Sequence, residues 1–183
     1  MTDSFQKTNS SRVTLSQLML PSHSNFSGKI HGGYLLSLMD QIAFACGSKY
    51  SGMYCVTASV DRVDFLNPIE VGELVTLKAS VNYVGNSSMV VGIRVDAQNI
   101  QTGKVKHCNS SYFTMIAKDE QGNNSKVPRL ILTSKEDVLR YMKTIERLKL
   151  RHSYAELCTD FNGDIQQAIN NITQNGDVKV QLS

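Results

Sequence analysis

The sequence lacks any pair of closely spaced cysteines. Its 183 residues contain four cysteines that lie far apart, at Cys46, Cys55, Cys108 and Cys158. Zinc sites and redox motifs use Cys-x-x-Cys spacings, and disulfide frameworks are typical of small secreted domains. We therefore expect reduced thiols in the core of a cytoplasmic protein, and no metal site.

The chain also lacks a strong excess of charge and any long apolar run. A scattered net charge of +3 argues against nucleic acid as a partner and is compatible with a small anionic ligand. No apolar stretch approaches the length of a membrane span, and the polar first ten residues do not resemble a signal peptide. We expect no membrane association, and disorder over residues 1–11.

Nucleotide-binding and hydrolase signatures are missing as well. The sequence contains no Gly-x-Gly-x-x-Gly, P-loop or Gly-x-Ser-x-Gly pattern and no internal repeat. Its hydrophobic content of 41% and charged content of 19% are those of an ordinary globular protein. At this length the chain fits one domain with a possible appendage.

An apolar helix with one acidic residue is the most informative feature present. The run after His31-Gly32-Gly33 carries apolar residues on every face as far as Cys46, which predicts a helix over roughly 33–50 that is buried on all sides. Asp40 lies in the middle of this run. Carboxylates are rarely buried without a partner, and acidic groups in apolar surroundings are frequent at catalytic sites. The alternative is that Asp40 simply emerges at an edge.

Alternating apolar and polar residues predict a strand before this helix and four strands after it. The predicted strands span residues 12–20, 56–60, 75–83, 89–97 and 104–118. The last four are joined by short connections, which favours an antiparallel sheet. We predict an α+β fold in which the sheet wraps around the long helix.

The tail of the chain has helical patterns of its own. Ser134 followed by Asp137 is a variant of the capping box, and the apolar stripe that follows consists of Val138, Tyr141, Met142, Ile145 and Leu148. A second amphipathic segment over 153–172 is broken near Asn162-Gly163. We expect these helices to pack against the body or a neighbouring subunit; the alternative is a basic surface for nucleotide recognition.

Four motifs resemble the acyl-CoA hydrolases of the hotdog superfamily. They are Asn25-Phe-Ser-Gly28-Lys-Ile-His31-Gly-Gly33 with Asp40, Thr57-Ala-Ser-Val-Asp61 continuing to Gly72-Glu, Val84-Gly-Asn-Ser-Ser-Met89, and Tyr112-Phe-Thr-Met-Ile-Ala-Lys-Asp119. The resemblance is closest to bacterial short-chain and cytosolic brain-type enzymes. It covers residues 12–132 and leaves 133–183 as a helical extension.

The resemblance implies a hotdog fold, acyl-CoA as substrate, coenzyme A as product and no further cofactor. It also implies a homodimer that assembles into a trimer of dimers. In this family the acidic residue and the Asn and Gly-Gly segment of one site come from opposite hotdog units.

The spacing of Gly33 and Asp40 agrees with a shared site. Seven residues of helix place them on one face but roughly 10 Å apart along the axis. That is too far for Asp40 to activate a water against a carbonyl held by the Gly33 amide of its own chain. Two helices related by a two-fold axis would bring each Asp40 to the start of its partner.

Charge then suggests a role for each group. Free amides at the helix start suit the oxyanion formed on a thioester carbonyl, and Gly32 and Gly33 let the acyl group approach the backbone. Asp40 is expected to act as general base on water; the alternative is a nucleophile that forms an anhydride. Asn25 is expected to orient the water or the carbonyl, or else to serve as an Asx-turn residue.

Two supporting groups complete this hypothesis. His31 is expected to position other groups at the helix start and not to act as the base. Thr57 lies on a strand facing the helix and is expected to bind Asp40 or the water, unless it is an ordinary strand threonine.

Coenzyme A needs a groove for pantetheine and cations for its phosphates. By resemblance, Asn86, Ser87 and Ser88 are candidates for the pantetheine or phosphate chain. The cations could come from Arg62, Lys104 and Lys106, although each of these residues alone is more often a solvated side chain at a strand edge.

Two other functions compete with acyl-CoA hydrolysis. A hotdog protein that only binds or senses acyl-CoA would need no base, and Asp40 together with Asn25 argues against it. A hotdog dehydratase or hydratase would need a histidine and an acid acting on the β-carbon. His107 and His152 are not placed for that role in the sequence.

Overall fold

The computed structural model describes residues 4–157, 164–173 and 180–181. The chain divides into two compact units, Met1–Glu146 and Arg147–Ser183. The first unit extends fourteen residues beyond the predicted boundary at 132, because it includes the first turns of the helix that follows. Among the described residues no helix is both long and apolar enough to cross a membrane.

Five antiparallel strands form the main sheet of the first unit. They are β2 (Val13–Leu18), β3 (Tyr54–Val60), β4 (Glu73–Val84), β5 (Ser88–Asn99) and β6 (Val105–Lys118), in the spatial order β2-β4-β5-β6-β3. All five predicted strands are present, and their ends differ from the predicted ones by at most two residues. The inner face of β4 and β5 carries the alternating valine and leucine residues that the period-two pattern indicated.

The predicted disorder of the N-terminal residues is wrong for residues 4–11. Phe5–Lys7 form strand β1, which pairs in parallel with β7 (Arg129–Ile131), and a 3₁₀ turn follows over Thr8–Ser11. Thr8 and Ser11 are buried, and the Thr8 hydroxyl donates to the carbonyl of Ile131. These long-range contacts order a polar segment that local sequence does not order.

Helix α1 (Gly32–Ser51) lies against the inner face of the sheet. It ends at Gly52, whose φ of +71° is the left-handed conformation that glycine adopts readily. The buried side of the helix consists of Leu35, Leu38, Met39, Ile42, Ala43, Cys46, Gly47 and Tyr50.

The prediction that α1 is buried on all sides is wrong for a single chain. The opposite side of the helix is exposed, including Asp40, Gln41 and Phe44, which is 40% accessible. The sheet curls around only one side of the helix, so the apolar residues on the other side have no cover from their own chain. Burial there requires a second polypeptide.

Helix α2 (Lys135–Leu157) begins at the predicted cap. The amide of Asp137 donates to the Ser134 hydroxyl, and the Asp137 carboxylate accepts from the backbone amide and hydroxyl of Thr133 and from Arg12. Burial alone would raise the pKa of Asp137, but these hydrogen bonds hold it below its usual value. The ionised form is therefore the one the fold stabilises.

The predicted apolar stripe of α2 makes only part of the contact with the rest of the first unit. Its member Tyr141 contacts Tyr83, but Val138 and Met142 are about half exposed, whereas the polar residues Asp137 and Thr144 are 1% accessible. The outer face of the sheet is polar, so the helix turns its polar residues toward it. In the second unit, α3 spans Ile165–Thr173, and the predicted break near Asn162-Gly163 lies outside the described residues.

Candidate active site

Asp40 and Thr57 meet between the exposed side of α1 and edge strand β3. The Thr57 hydroxyl donates to Oδ1 of Asp40 at 2.5 Å and lies 3.5 Å from the sulfur of Met115. A hydroxyl that donates to one carboxylate oxygen fixes the rotation of the carboxylate and leaves the second oxygen for another partner. Of the two readings of Thr57, the one in which it binds Asp40 is confirmed as a contact.

Two grooves open on either side of Asp40. The first has a volume of about 550 Å³ and is lined by Gly33, Leu36, Ser37, Asp40, Val60, Asp61, Val63 and Phe113. The second, of about 340 Å³, is lined by Asp40, Gln41, Phe44, Tyr54, Cys55, Val56 and Thr57. Asp40 is the residue that lines both. The first groove runs along the helix from Gly33 to the carboxylate, and its walls are mainly apolar.

The start of α1 is capped by a side chain. His31 is the N-cap residue, and its Nδ1 accepts from the amide of Gly33 at 3.0 Å. The prediction of a free amide at Gly33 is therefore wrong for this state of the protein, because the imidazole already occupies that donor. A ligand oxygen can bind the Gly33 amide only where it replaces His31 as the acceptor.

Both glycines at the helix start have close neighbours. A Cβ on Gly32 would lie 3.2 Å from the ring of Phe65, and a Cβ on Gly33 would lie 3.1 Å from Nδ1 of His31. The absence of side chains thus makes room for these two rings. Phe65 follows β3 and was not identified from the sequence as part of the site. It lies in the loop before Asn67-Pro68, where no periodic pattern of apolar residues indicates which way a side chain points.

Asn25 organises the loop that precedes the helix. Its Oδ1 accepts from the amide and hydroxyl of Ser27 and from the amide of Lys29, at 2.8–3.1 Å. The turn passes through Gly28 at a φ of +75°, and Lys29 is ion-paired with Glu70. The Oδ1 atom of Asn25 thus serves as the acceptor of an Asx turn, as one of the two alternatives for this residue expected, and its amide nitrogen remains for a ligand. Asn25 lines neither groove beside Asp40.

A stacked pair of rings supports the same loop. The imidazole of His23 lies 4.0 Å from the ring of Tyr34 at an interplanar angle of 16°, and Gln17 donates to the Tyr34 hydroxyl. The backbone amide of His31 donates to the carbonyl of His23. These contacts join the loop, β2 and the first turn of α1, and they were not foreseen from sequence because stacking depends on side-chain orientation.

The candidates for coenzyme A binding do not converge within one chain. Ser88 of β5 and Val56 of β3 both pair with Ile116 of β6. Lys106 lies ten residues before Ile116 on the same strand, which corresponds to roughly 34 Å at the usual rise of a strand. Arg62 is paired with Asp64 and Lys106 with the buried Glu73. Neither groove is lined by any of the six candidates Arg62, Asn86, Ser87, Ser88, Lys104 and Lys106.

Comparison with known proteins places the chain in a family. The family model described as Thioesterase superfamily matches residues 27–104. Protein VdlD of Helicobacter pylori is 41% identical over 140 residues, which cover 76% of this chain and 80% of that protein. A hexameric acyl-CoA thioesterase in its apo form is 33% identical with a TM-score of 0.81, and the alignment covers 83% of this chain and 97% of that one.

An acyl-CoA hydrolase of Staphylococcus aureus, solved with butyryl coenzyme A and coenzyme A, is 27% identical with a TM-score of 0.78. The alignment covers 93% of this chain and 99% of that one. The α+β hotdog fold predicted from sequence is confirmed. The chain belongs to the hotdog-fold acyl-CoA thioesterases, which are acyl-CoA thioester hydrolases.

Proposed function

We propose that this acyl-CoA thioesterase hydrolyses its substrate with Asp40 as the general base. The observation that carries the proposal is the hydrogen bond from Thr57 to Oδ1 of Asp40, at the end of a groove that starts at Gly33. The bond fixes the carboxylate, and Oδ2 is left to accept a proton from water. Mainly apolar walls suit an acyl chain along the groove.

The reaction requires one water and no cofactor. Water attacks the thioester carbonyl as its proton passes to Asp40, and a carbon–oxygen bond forms. The carbon–sulfur bond then breaks, the sulfur of coenzyme A takes up a proton, and the free acid leaves. The oxyanion formed during attack would replace His31 as the acceptor of the Gly33 amide, at the positive end of the helix dipole.

The catalytic groups are proposed to come from two chains. Gly33 and Asp40 of one helix are roughly 10 Å apart along its axis, and Asn25 lines neither groove beside Asp40 of its own chain. The exposed side of α1 next to edge strand β3 offers the surface for a second copy. A dimer across this surface would place Asn25 and Gly33 of one subunit near Asp40 of the other.

Further assembly and location follow the same proposal. A trimer of dimers agrees with the hexameric state of the similar thioesterase. Separate subunits could then supply the two distant groups of coenzyme A candidates, around Ser88 and around Lys106. Cys46, Cys55 and Cys108 are unpaired and buried, which supports a reducing compartment such as the cytoplasm.

Subunit exchange tests the shared site. Asp40→Asn and Asn25→Ala should each fold and each lose hydrolysis, measured with butyryl-CoA and a thiol-reactive dye. After the two proteins are mixed in equal amounts and exchanged, half of the dimers are heterodimers. Each heterodimer has one intact site and one with both defects, so activity should reach about a quarter of wild type by the two-fold symmetry of the dimer.

Native mass spectrometry provides the control, because it measures the fraction of heterodimers directly. Full exchange without recovered activity would contradict the shared site and place both residues in one subunit. If Asp40→Asn alone keeps more than about a tenth of wild-type kcat/KM, Asp40 is not the base, since a general base contributes a factor of about 10²–10⁴. A wild-type protein that binds butyryl-CoA without hydrolysing it would instead be a sensor.

A further inference from the structure

A bulge on the outer face of the sheet brings together residues that a regular strand would separate. The register of β5 and β6 pairs Val95 with Asn109 and then Asp96 with His107, so Cys108 has no residue opposite it. Because a bulge shifts the alternation of side chains by one residue, His107 and Ser110 both lie on the outer face although they are three residues apart. Cys108 is buried and Ser110 is exposed, as this shift requires.

These residues form a continuous chain of hydrogen bonds. Ser110 Oγ lies 3.1 Å from Nε2 of His107, and Nδ1 of His107 lies 3.1 Å from Oδ1 of Asp96. Arg94 donates to Oδ2 of Asp96 at 2.8 Å. The order is that of a serine, histidine and aspartate relay, which is recognised by geometry and not by position in the sequence.

The direction of each bond follows from the charge of Asp96. Burial would raise the pKa of Asp96, but the hydrogen bonds from Arg94 and His107 hold it below its usual value. An ionised carboxylate only accepts, so the bond to Asp96 selects the imidazole tautomer that carries its proton on Nδ1 and leaves Nε2 as an acceptor. In that tautomer the Ser110 hydroxyl donates to Nε2, the bond through which a base removes a proton from a serine.

Exposure increases along this chain toward solvent. The Asp96 side chain is 15% accessible and that of His107 is 29% accessible, while Ser110 is exposed. The carboxylate is thus shielded where it orients the imidazole, and the hydroxyl is open where it would meet a substrate.

Ser110 opens into a cleft that is rich in positive charge. The cleft has a volume of about 490 Å³, and its charged lining residues are Glu136 and the cations Arg12, Lys78, Arg94, Arg140 and Lys143. Among the described residues, three of the five cations are ion-paired, Arg12 with Asp137, Arg94 with Asp96 and Arg140 with Glu136. Lys78, Arg94 and Ser110 form one row across three strands, since Lys78 pairs with Arg94 and Arg94 with Ser110. Such a row favours a substrate or leaving group that carries negative charge.

An amide donor lies beside the same cleft. Asn82 is 5% accessible and lines the cleft, with its Oδ1 accepting from Ser80. A Cβ on Gly92 would lie 2.2 Å from Nδ2 of Asn82, so the missing side chain makes room for the amide. Gly92 precedes Arg94 by two residues on the same face of β5, so Gly92 is a diagonal neighbour of Ser110. The Nδ2 atom of Asn82 lies against Gly92 and therefore close to this position.

We propose that Ser110, His107 and Asp96 form a second nucleophilic site, separate from Asp40, for activated acyl esters with an anionic leaving group. His107 accepts the Ser110 proton as Oγ bonds to the acyl carbon. The bond to the leaving group then breaks, and the leaving group takes the proton from His107, which restores Nε2 as a base. Water then attacks the acyl-serine carbonyl as its proton passes to His107, and the ester bond breaks with return of that proton to Ser110 Oγ and release of the acid.

Acetyl transfer from 4-nitrophenyl acetate tests the site in the full-length Asp40→Asn protein, which removes the thioesterase contribution. Release of nitrophenol and acetylation at Ser110, located by mass spectrometry of peptides, should both be seen. Both should vanish in the added Ser110→Ala variant. His107→Gln should slow them by at least about a hundredfold, the lower end of what a general base contributes.

Ser16 is a matched internal control. It is exposed on the same outer face, but its hydroxyl pairs with that of Thr76 and not with an imidazole. The proposal would be overturned if Ser110 were acetylated no faster than Ser16. It would also be overturned if the rate of Ser110 acetylation were unchanged in His107→Gln. Butyryl-CoA hydrolysis by Ser110→Ala in the otherwise wild-type chain should stay at the wild-type rate and shows that the variant folds.

Discussion

Replacing Thr57 by valine should separate the positioning of Asp40 from its chemistry. Valine has nearly the shape of threonine, so the change removes the hydroxyl that donates to Oδ1 of Asp40 and little else. A hydrogen bond to a charged group contributes about 1.5–3 kcal/mol. If that contribution is made mainly in the transition state, kcat should fall about 10- to 150-fold, because 1.36 kcal/mol corresponds to a factor of ten.

The assay is steady-state hydrolysis of butyryl-CoA, together with a single-turnover experiment that removes product release from the measurement. KM should change little, because Thr57 is expected to act on the carboxylate and not on the substrate. Thr57→Ser keeps the hydroxyl and should recover most of the activity. Thr76→Val is the matched control: it removes a strand hydroxyl that, within the described part of the chain, pairs with Ser16, and it should leave kcat unchanged.

A kcat for Thr57→Val within a factor of two of wild type would refute this reasoning. It would mean that the short bond to Asp40 does not orient the base during the reaction. A large loss of thermal stability in Thr57→Val but not in Thr76→Val would instead assign the bond to folding. The melting temperature therefore has to be measured with the kinetics.

Three further predictions concern the fold. Gly92→Ala places a Cβ 2.2 Å from Nδ2 of Asn82 and should destabilise the protein by about 1–3 kcal/mol, measured by urea unfolding. Asp137 has a lowered pKa in the folded state, so the stabilisation that its carboxylate provides is present at neutral pH and is lost as pH falls below about 4. Asp137→Asn should therefore lower the melting temperature at pH 7 and make the melting temperature depend less on pH in the acid range. Burial raises the pKa of Cys46 to about 12, so maleimide at pH 8 should modify it only after unfolding.

The long elements of the fold could be predicted because their sequence patterns repeat. The helix around Asp40 and the four strands after it are present with ends shifted by at most two residues. Strands β1 and β7 have three residues each, too few to show a period. They form through pairing between distant segments, which no local pattern indicates.

The site was predicted less completely than the fold. The contact between Thr57 and Asp40 was one of two alternatives that were left open when a strand was placed against the helix. The cap of His31 on Gly33 could not be foreseen, because it depends on the orientation of one ring. The exposure of Phe44 was also missed: an apolar helix face indicates burial, but the sequence does not say whether its own chain or another one provides it.

The pairing of β1 with β7 has a consequence for how the chain folds during synthesis. The Thr8 hydroxyl bonds to the carbonyl of Ile131, 123 residues later. Strand β1 can therefore pair only after the ribosome has added the 123 residues that separate Thr8 from Ile131. Formation of the small β1–β7 sheet is then a late step that depends on two distant segments meeting. A bulky insertion directly before Phe5 should slow this pairing, whereas one in the turn between β4 and β5 should not.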